Sequence, residues 1–244
     1  MAAPEKSALA EMLAADGYRV LCIDLNEQGD LTDTLEARQE GGGVLELFTG
    51  GTPAKLLKET NMVRVEMITG GEPLAMLEGK IKEQGKARAL ILAAALKPLR
   101  RSYRYCIIDT PGNFNTAMLN ALGVADNIVI PAQADFYSLK GIGRLIKNIR
   151  YVQQEVNPGL QIGGILLTRY QGRRNLSRET VEVLQEAEKT LGVKLFETKI
   201  RETTKIAECP GHHTTVTRYA PNSNGAEDYR AFYREFIKTL EGKE

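Results

Sequence analysis

The stretch from Tyr103 to Pro131, YRYCIIDTPGNFNTAMLNALGVADNIVIP, constrains the fold more than any other part of the chain. Cys106-Ile107-Ile108 is a continuous apolar run without polar alternation, as expected of a parallel strand covered on both faces. It ends in Asp109-Thr110-Pro111-Gly112, which places a carboxylate at the strand's carboxyl end, where open α/β sheets bind ligands. Asn113 is positioned to cap a helix running to about Leu122. A second buried run, Asn127 to Ile130, stops at Pro131. An apolar strand ending in Asp is the Walker B arrangement, in which the carboxylate holds Mg²⁺ beside a nucleotide's phosphates. A buried strand ending in a turn Asp accounts for the same residues.

The remaining segments alternate in the same way. Lys6 to Ala15 has helical spacing of Leu9, Leu13 and the alanines, and Gly17 stops it. Tyr18 to Asp24 reads as a strand that again ends in a carboxylate, and a polar loop then leads into a helix near Leu35. Gly41-Gly42-Gly43 and Gly50-Gly51 flank a short helix, Val44 to Phe48. The glycine triplet has neither the following Lys-Ser/Thr nor the preceding strand of a phosphate loop. Met62 to Ile68 is a strand, and Glu72 to Leu99 is mostly helical with an interruption near Gly85. Ser138 to Val156 is a long helix, Gln161 to Thr168 a strand, Asn175 to Leu191 a helix and Val193 to Ile200 a strand. Thr203 to Glu208 is a short helix, and Tyr229 to Leu240 the last one. Strands alternating with helices over 244 residues imply an α/β fold with one doubly wound, mostly parallel sheet in a single domain, residues 1–244.

Composition narrows the function classes. The net charge is +1, which is ordinary for a globular protein. Cys22, Cys106 and Cys209 have no metal-ligand spacing and read as reduced thiols of a cytosolic protein, two of them in buried strands. The apolar run Ala89 to Leu96 is too short to span a membrane, and no signal-peptide pattern opens the chain. His212-His213 has no Cys, Asp or Glu at a supporting spacing and reads as loop.

Four stretches in order, GYRVLCIDLNEQGDLT, YRYCIIDTPGNFNTAMLNALGVADNIVIPAQADFYSLKGI, LLTRYQGRRNLS and IRETTKIAECPG, resemble the ParA/Soj partition ATPases. These form a deviant-Walker branch of the P-loop proteins that also contains MinD. The resemblance runs from about residue 8 to the C-terminus. It implies an ATP- and Mg²⁺-dependent sandwich homodimer that binds DNA non-specifically. A ParB-like centromere-binding partner then stimulates hydrolysis and release, in a cytoplasmic, nucleoid-associated cycle without a membrane anchor. By the same resemblance Asp109 is the Walker B residue, holding Mg²⁺ through water. Asp24 is the first carboxylate of a D-x-D motif, and Thr168 and Tyr170 line the adenine pocket.

The sequence also departs from that pattern. Counting back from Val20, the Gly-Lys of the family's phosphate loop falls at about positions 1 and 2, where Met1 and Ala2 stand. Lys6-Ser7 is the candidate stand-in, but no glycine precedes it, Pro4 has no N–H and Glu5 repels phosphate, so an exposed helix start is the better account. The D-x-D motif reads Asp24-Leu25-Asn26; an amide can orient water but cannot act as a base. Without the family's first strand, the strands on either side of it would face a gap.

Between Leu139 and Arg178 the chain carries Lys140, Arg144, Lys147, Arg150, Arg169, Arg173, Arg174 and Arg178. Lys140, Arg144 and Lys147 share one helix face. The excess suits a phosphate backbone as well as it suits a solvated helix surface. The resemblance favours DNA, since Arg173 and Arg201 align with DNA-binding arginines of the family. Two functions remain: an ATP-driven partition switch, or a ParA-like adaptor that keeps the fold and the basic face and works without nucleotide.

Overall fold

The two apolar runs at the centre of the chain become strands of different sheets. The computed structural model describes residues 3–37, 41–82, 85–133, 136–172, 181, 184, 188 and 192–242. Val20–Asp24 (β1), Lys58–Glu59 (β2), Val65–Ile68 (β3) and Tyr105–Asp109 (β4) form a four-stranded sheet in the order β2-β3-β1-β4. Asn127–Gln133 (β5), Gln161–Tyr170 (β6) and Leu195–Arg201 (β7) form a three-stranded sheet in the order β5-β6-β7. Every pairing is parallel except that of the two-residue β2 with β3. The break falls between β4 and β5, so these successive strands are each the edge of a sheet. The α/β class with parallel-dominated sheets is the expected one, and its strands fall in two sheets.

Burial follows this topology. β1, with a ladder on each side, is buried at all five positions. β4 pairs with β1 alone, and its apolar run is only half covered. Cys106 is therefore exposed and not a buried strand cysteine as expected, whereas Cys22 and Cys209 are buried.

Two helices bridge the break, one on each face. On one side the helix Ala3–Ala15 packs Ala10 and Leu13 against Val20, Cys22 and Met67 of the first sheet. The same helix packs Ala8 with Leu166 and Phe196 of the second sheet and with Tyr229 and Phe232 of the C-terminal helix Asn224–Glu241. On the other side the helix Thr116–Val124 presents Ala117 and Ala121 to Leu21 and Ile23. Its Met118 and Leu122 pack with Ile130, Ile165 and the Ile142–Ile146–Ile149 stripe of the helix Phe136–Glu155. A fully buried aliphatic side chain contributes about 1.5–3 kcal/mol, so these contacts hold together sheets that share no ladder.

Several boundaries differ from the expected ones. Asn115, not Asn113, caps the helix after β4: its Oδ1 accepts from Met118 N at 3.0 Å. β5 continues through Pro131 to Gln133. It is an edge strand, where the missing proline N–H leaves no ladder bond unmade on the open side. The last helix starts earlier, at Asn224, because Ser223 supplies an N-cap. Most of the expected helix 175–191 lies outside the described residues.

Candidate functional site

The carboxyl ends of β1 and β4 bring two carboxylates side by side. Asp24 and Asp109 are register partners in the parallel ladder, and both are 0% exposed. In each strand they share the face of the residues that pack beneath the N-terminal helix, Val20 and Cys22 in β1 and Tyr105 and Ile107 in β4. Lys6 stands on that helix, and its Nζ makes an ion pair with Asp109 Oδ1. Lys6 is 4% exposed and Ser7 0%, so the expected exposed helix start is corrected. The apolar Ala8, Ala10 and Leu13 hold the helix against both sheets and thereby press its first turn onto the strand ends.

The two carboxylates are satisfied differently. Asp24 is a hub of local hydrogen bonds. Its Oδ2 accepts from Thr32 N at 3.0 Å and from Thr32 Oγ1 at 2.8 Å, and its Oδ1 accepts from Asn26 N at 3.0 Å. Thr32 Oγ1 in turn accepts from Gly70 N at 3.0 Å. Burial pushes the Asp24 carboxyl above its ordinary range, against the pull of these donors and of Lys6. Asp109 lacks such donors: apart from the Lys6 ion pair, neither of its carboxylate oxygens has a hydrogen-bond partner among the described residues. Burial draws the Lys6 ammonium down to about 8, while the carboxylates of Glu5, Asp24 and Asp30 oppose that shift. The lysine ammonium thus stands among several acidic side chains, which draw its pKa upward against burial.

This arrangement does not suit Mg²⁺ at Asp109. The carboxylate that would take the ion or its water already touches an ammonium, and a divalent ion beside it would be repelled. Asn26 makes a local turn instead: its Oδ1 accepts from Gln28 N at 3.2 Å, and its carbonyl accepts from Gly29 and Gly71. The glycine triplet is no open cradle either, since a Cβ at Gly42 would lie 2.1 Å from Glu46 Oε2.

The remaining candidates lie elsewhere. Thr168 is buried near the end of β6, with its Oγ1 3.4 Å from the Ala132 carbonyl, and Tyr170 ends that strand under Lys199 Nζ. No described contact joins either to the Lys6–Asp109 pair. Arg144 and Lys147 are exposed on the helix Phe136–Glu155, and Lys140 lies in its first turns. Arg173 and Arg174 lie outside the described residues.

Arg201, at the end of β7, is committed to Asp228. Its Nε donates to Oδ2 at 2.9 Å, a terminal guanidinium nitrogen donates to Oδ1 at 2.7 Å, and its backbone N–H donates to Oδ2 at 2.9 Å. The Asp228 hydrogen bonds raise the guanidinium pKa further. His212 stacks on Tyr219 with ring centroids 4.8 Å apart, and His213 Nδ1 meets the Asp33 carbonyl at 2.8 Å. Sequence reasoning missed Thr32, Asp228 and the burial of Lys6. Each depends on a partner brought close by the fold, and no local spacing signals it.

Comparison with known proteins agrees with this architecture. A family model described as an AAA domain matches residues 5–162. The chain is 32% identical over 233 residues to the chromosome partitioning protein ParA of Myxococcus xanthus (strain DK1622), covering 94% of this chain and 81% of that protein. It is 31% identical over 230 residues to the sporulation initiation inhibitor protein Soj of Bacillus subtilis (strain 168), covering 93% and 89%. Among solved structures, cobyrinic acid a,c-diamide synthase from Mycobacterium smegmatis with bound ADP and magnesium superposes with a TM-score of 0.84 at 24% identity, covering 99% of this chain and 91% of that one. The cell division ATPase MinD of Pyrococcus furiosus superposes with a TM-score of 0.76 at 18% identity, covering 97% and 92%. The chain belongs to the ParA/Soj family of partition ATPases, and its fold is the one that family shares with MinD.

Proposed function

We propose that the protein is a ParA-type partition protein that binds DNA without sequence preference through the exposed basic face of the helix Phe136–Glu155. The observation that carries this is the placement of Arg144 and Lys147. Both are exposed, and neither has an ion-pair partner among the described residues, while Ile142, Ile146 and Ile149 anchor the opposite face in the core. Arg173 and Arg174 extend the same basic stretch in sequence. In this proposal the working unit is an ATP-promoted homodimer in the cytoplasm, associated with the nucleoid and released from DNA by a ParB-like partner. No described helix is long and apolar enough to cross a membrane.

The Lys6–Asp109 contact and Asn26 favour a second reading, in which the protein serves as a DNA-bound adaptor whose binding does not respond to nucleotide. One experiment tests both. Affinity for random duplex DNA is measured against salt, with and without Mg-ATP, for the wild type and for Arg144→Ala/Lys147→Ala. Two lost phosphate contacts lower the slope of log K against log salt by about 2. A double variant with unchanged slope and affinity refutes the basic-face assignment. Tightening with Mg-ATP supports the switch, and affinity indifferent to Mg-ATP supports the adaptor.

A further inference from the structure

The Asp24–Asp109 pair poses an electrostatic problem that the chain answers with its own side chain. Two carboxyl groups in register on adjacent parallel strands, both sealed from solvent, cannot both carry charge without compensation, because the interior screens poorly. Asp24 is compensated by three hydrogen bonds. Asp109 has no donor but Lys6, and Lys6 Nζ likewise has no hydrogen-bond acceptor beyond that ion pair among the described residues. Lys6 is held there by the packing of its helix across both sheets, so its reach to Asp109 is built into the fold.

We propose that Lys6 is the resident cation of the Asp24–Asp109 pair, occupying the place a divalent ion would take, so that this site is neutralised without metal and admits metal only when Lys6 is withdrawn. The inference rests on the carboxylate geometry and not on the partition reading, so loss of DNA binding would leave it intact. Lys6 here is a positioning residue: it sets which cation the carboxylates hold.

The test uses thermal unfolding of the full chain in EDTA and in millimolar MgCl₂ or MnCl₂, without nucleotide and at matched ionic strength, for the wild type, Lys6→Gln, Asp109→Asn and the double variant. The wild-type midpoint is expected to be the same with and without metal. Lys6→Gln strands the carboxylates and loses about 10 °C in EDTA, a loss that Mg²⁺ or Mn²⁺ reverses at least in part. Asp109→Asn strands the ammonium instead and is destabilised without any response to metal. The double variant, with two neutral amides, recovers stability in EDTA and does not respond to metal. A wild-type protein stabilised by Mg²⁺ alone as strongly as Lys6→Gln overturns the proposal, as does a double variant no more stable than Lys6→Gln. If Lys6→Gln does not fold in EDTA, the other two variants still decide: equal instability of Asp109→Asn and the double variant removes the coupling on which the inference stands.

Discussion

Replacing Arg201 by Ala separates two roles that sequence and structure assign to one residue. The guanidinium faces the Asp228 carboxylate through contacts of 2.7 to 3.1 Å, adds Glu227 at 3.2 Å, and donates to the Asn224 carbonyl at 3.3 Å. Asp228 is 7% exposed, so truncating Arg201 leaves a nearly buried carboxylate with one backbone N–H for company. Breaking a fully buried pair costs about 3–5 kcal/mol. The Arg201 side chain is 41% exposed, so solvent screening discounts this to about 2 kcal/mol. For a chain of this size that lowers the melting midpoint by about 4–8 °C. Asp228→Asn keeps the shape and loses the charge, costing about 1 kcal/mol, and the two changes together should cost less than their sum. Urea unfolding of the four proteins measures the coupling, and DNA affinity well below each midpoint measures the other role. Additive effects, or an Arg201→Ala protein as stable as wild type, would refute the internal ion pair. Loss of DNA binding in Arg201→Ala but not in Asp228→Asn would show that the exposed edge of the guanidinium also meets phosphate.

Three further outcomes follow from the same geometry. Burial pushes the Glu5 carboxyl above its ordinary value near 4.5, against the smaller opposing pull of its own backbone N–H, Lys6 and Tyr229. A raised folded-state value means that the Glu5 contribution is fully present below about pH 4.5 and is lost as pH rises through the folded-state pKa. Glu5→Gln should therefore melt higher than wild type at pH 7–8 and converge with it toward pH 4. Cys106 is exposed, and although desolvation pushes its thiol up to about 12, its access should let it be alkylated in the native protein before the buried Cys22 and Cys209, as read by mass spectrometry of labelled peptides. A Cβ at Gly123 would lie 2.3 Å from the Ala89 carbonyl oxygen, whereas one at Gly141 or Gly143 meets nothing within 4 Å. Gly123→Ala should then cost about 1–3 kcal/mol in spite of its better helix propensity. Gly141→Ala and Gly143→Ala should each gain about 0.5–1 kcal/mol. The same sign at all three positions in denaturant unfolding would contradict the packing of the helix Thr116–Val124.

What could be read from the sequence was set by local chemistry. Val44–Phe48 has the predicted bounds, and the strands ending in Asp24 and Asp109 lie within two residues of theirs. Apolar runs and glycine stops act within a few residues of one another. The helix cap shifted from Asn113 to Asn115 because both are competent caps and only the path of the chain after β4 chooses between them. Pro131 did not end β5, since an edge strand has a side on which a missing donor costs nothing. The site was half legible. Asp24, Asn26 and Asp109 announce themselves at strand ends, but Thr32 answers Asp24 across a polar loop and Asp228 answers Arg201 across 27 residues. Lys6 looked like an exposed helix start because charged residues in a first turn usually are. The packing of Ala8, Ala10 and Leu13 turns it inward instead.

The split between β4 and β5 explains why Lys6 is where it is. In a continuous sheet the strand ends would be bracketed by ladders on both sides, but here Asp109 belongs to an edge. An edge carboxylate sealed beneath a helix has two routes to compensation: water, which the packing excludes, or a cation from the covering element. The helix Ala3–Ala15 is already required to span the break, because Ala8 and Ala10 serve opposite sheets. Its first turn therefore arrives over the strand ends as a consequence of core packing, and the buried lysine at position 6 reaches Asp109. The contacts that join the two sheets and the charge balance of the site are thus one arrangement. Loosening the helix at Leu13, far from the carboxylates, should expose Asp109 to solvent cations even with Lys6 intact.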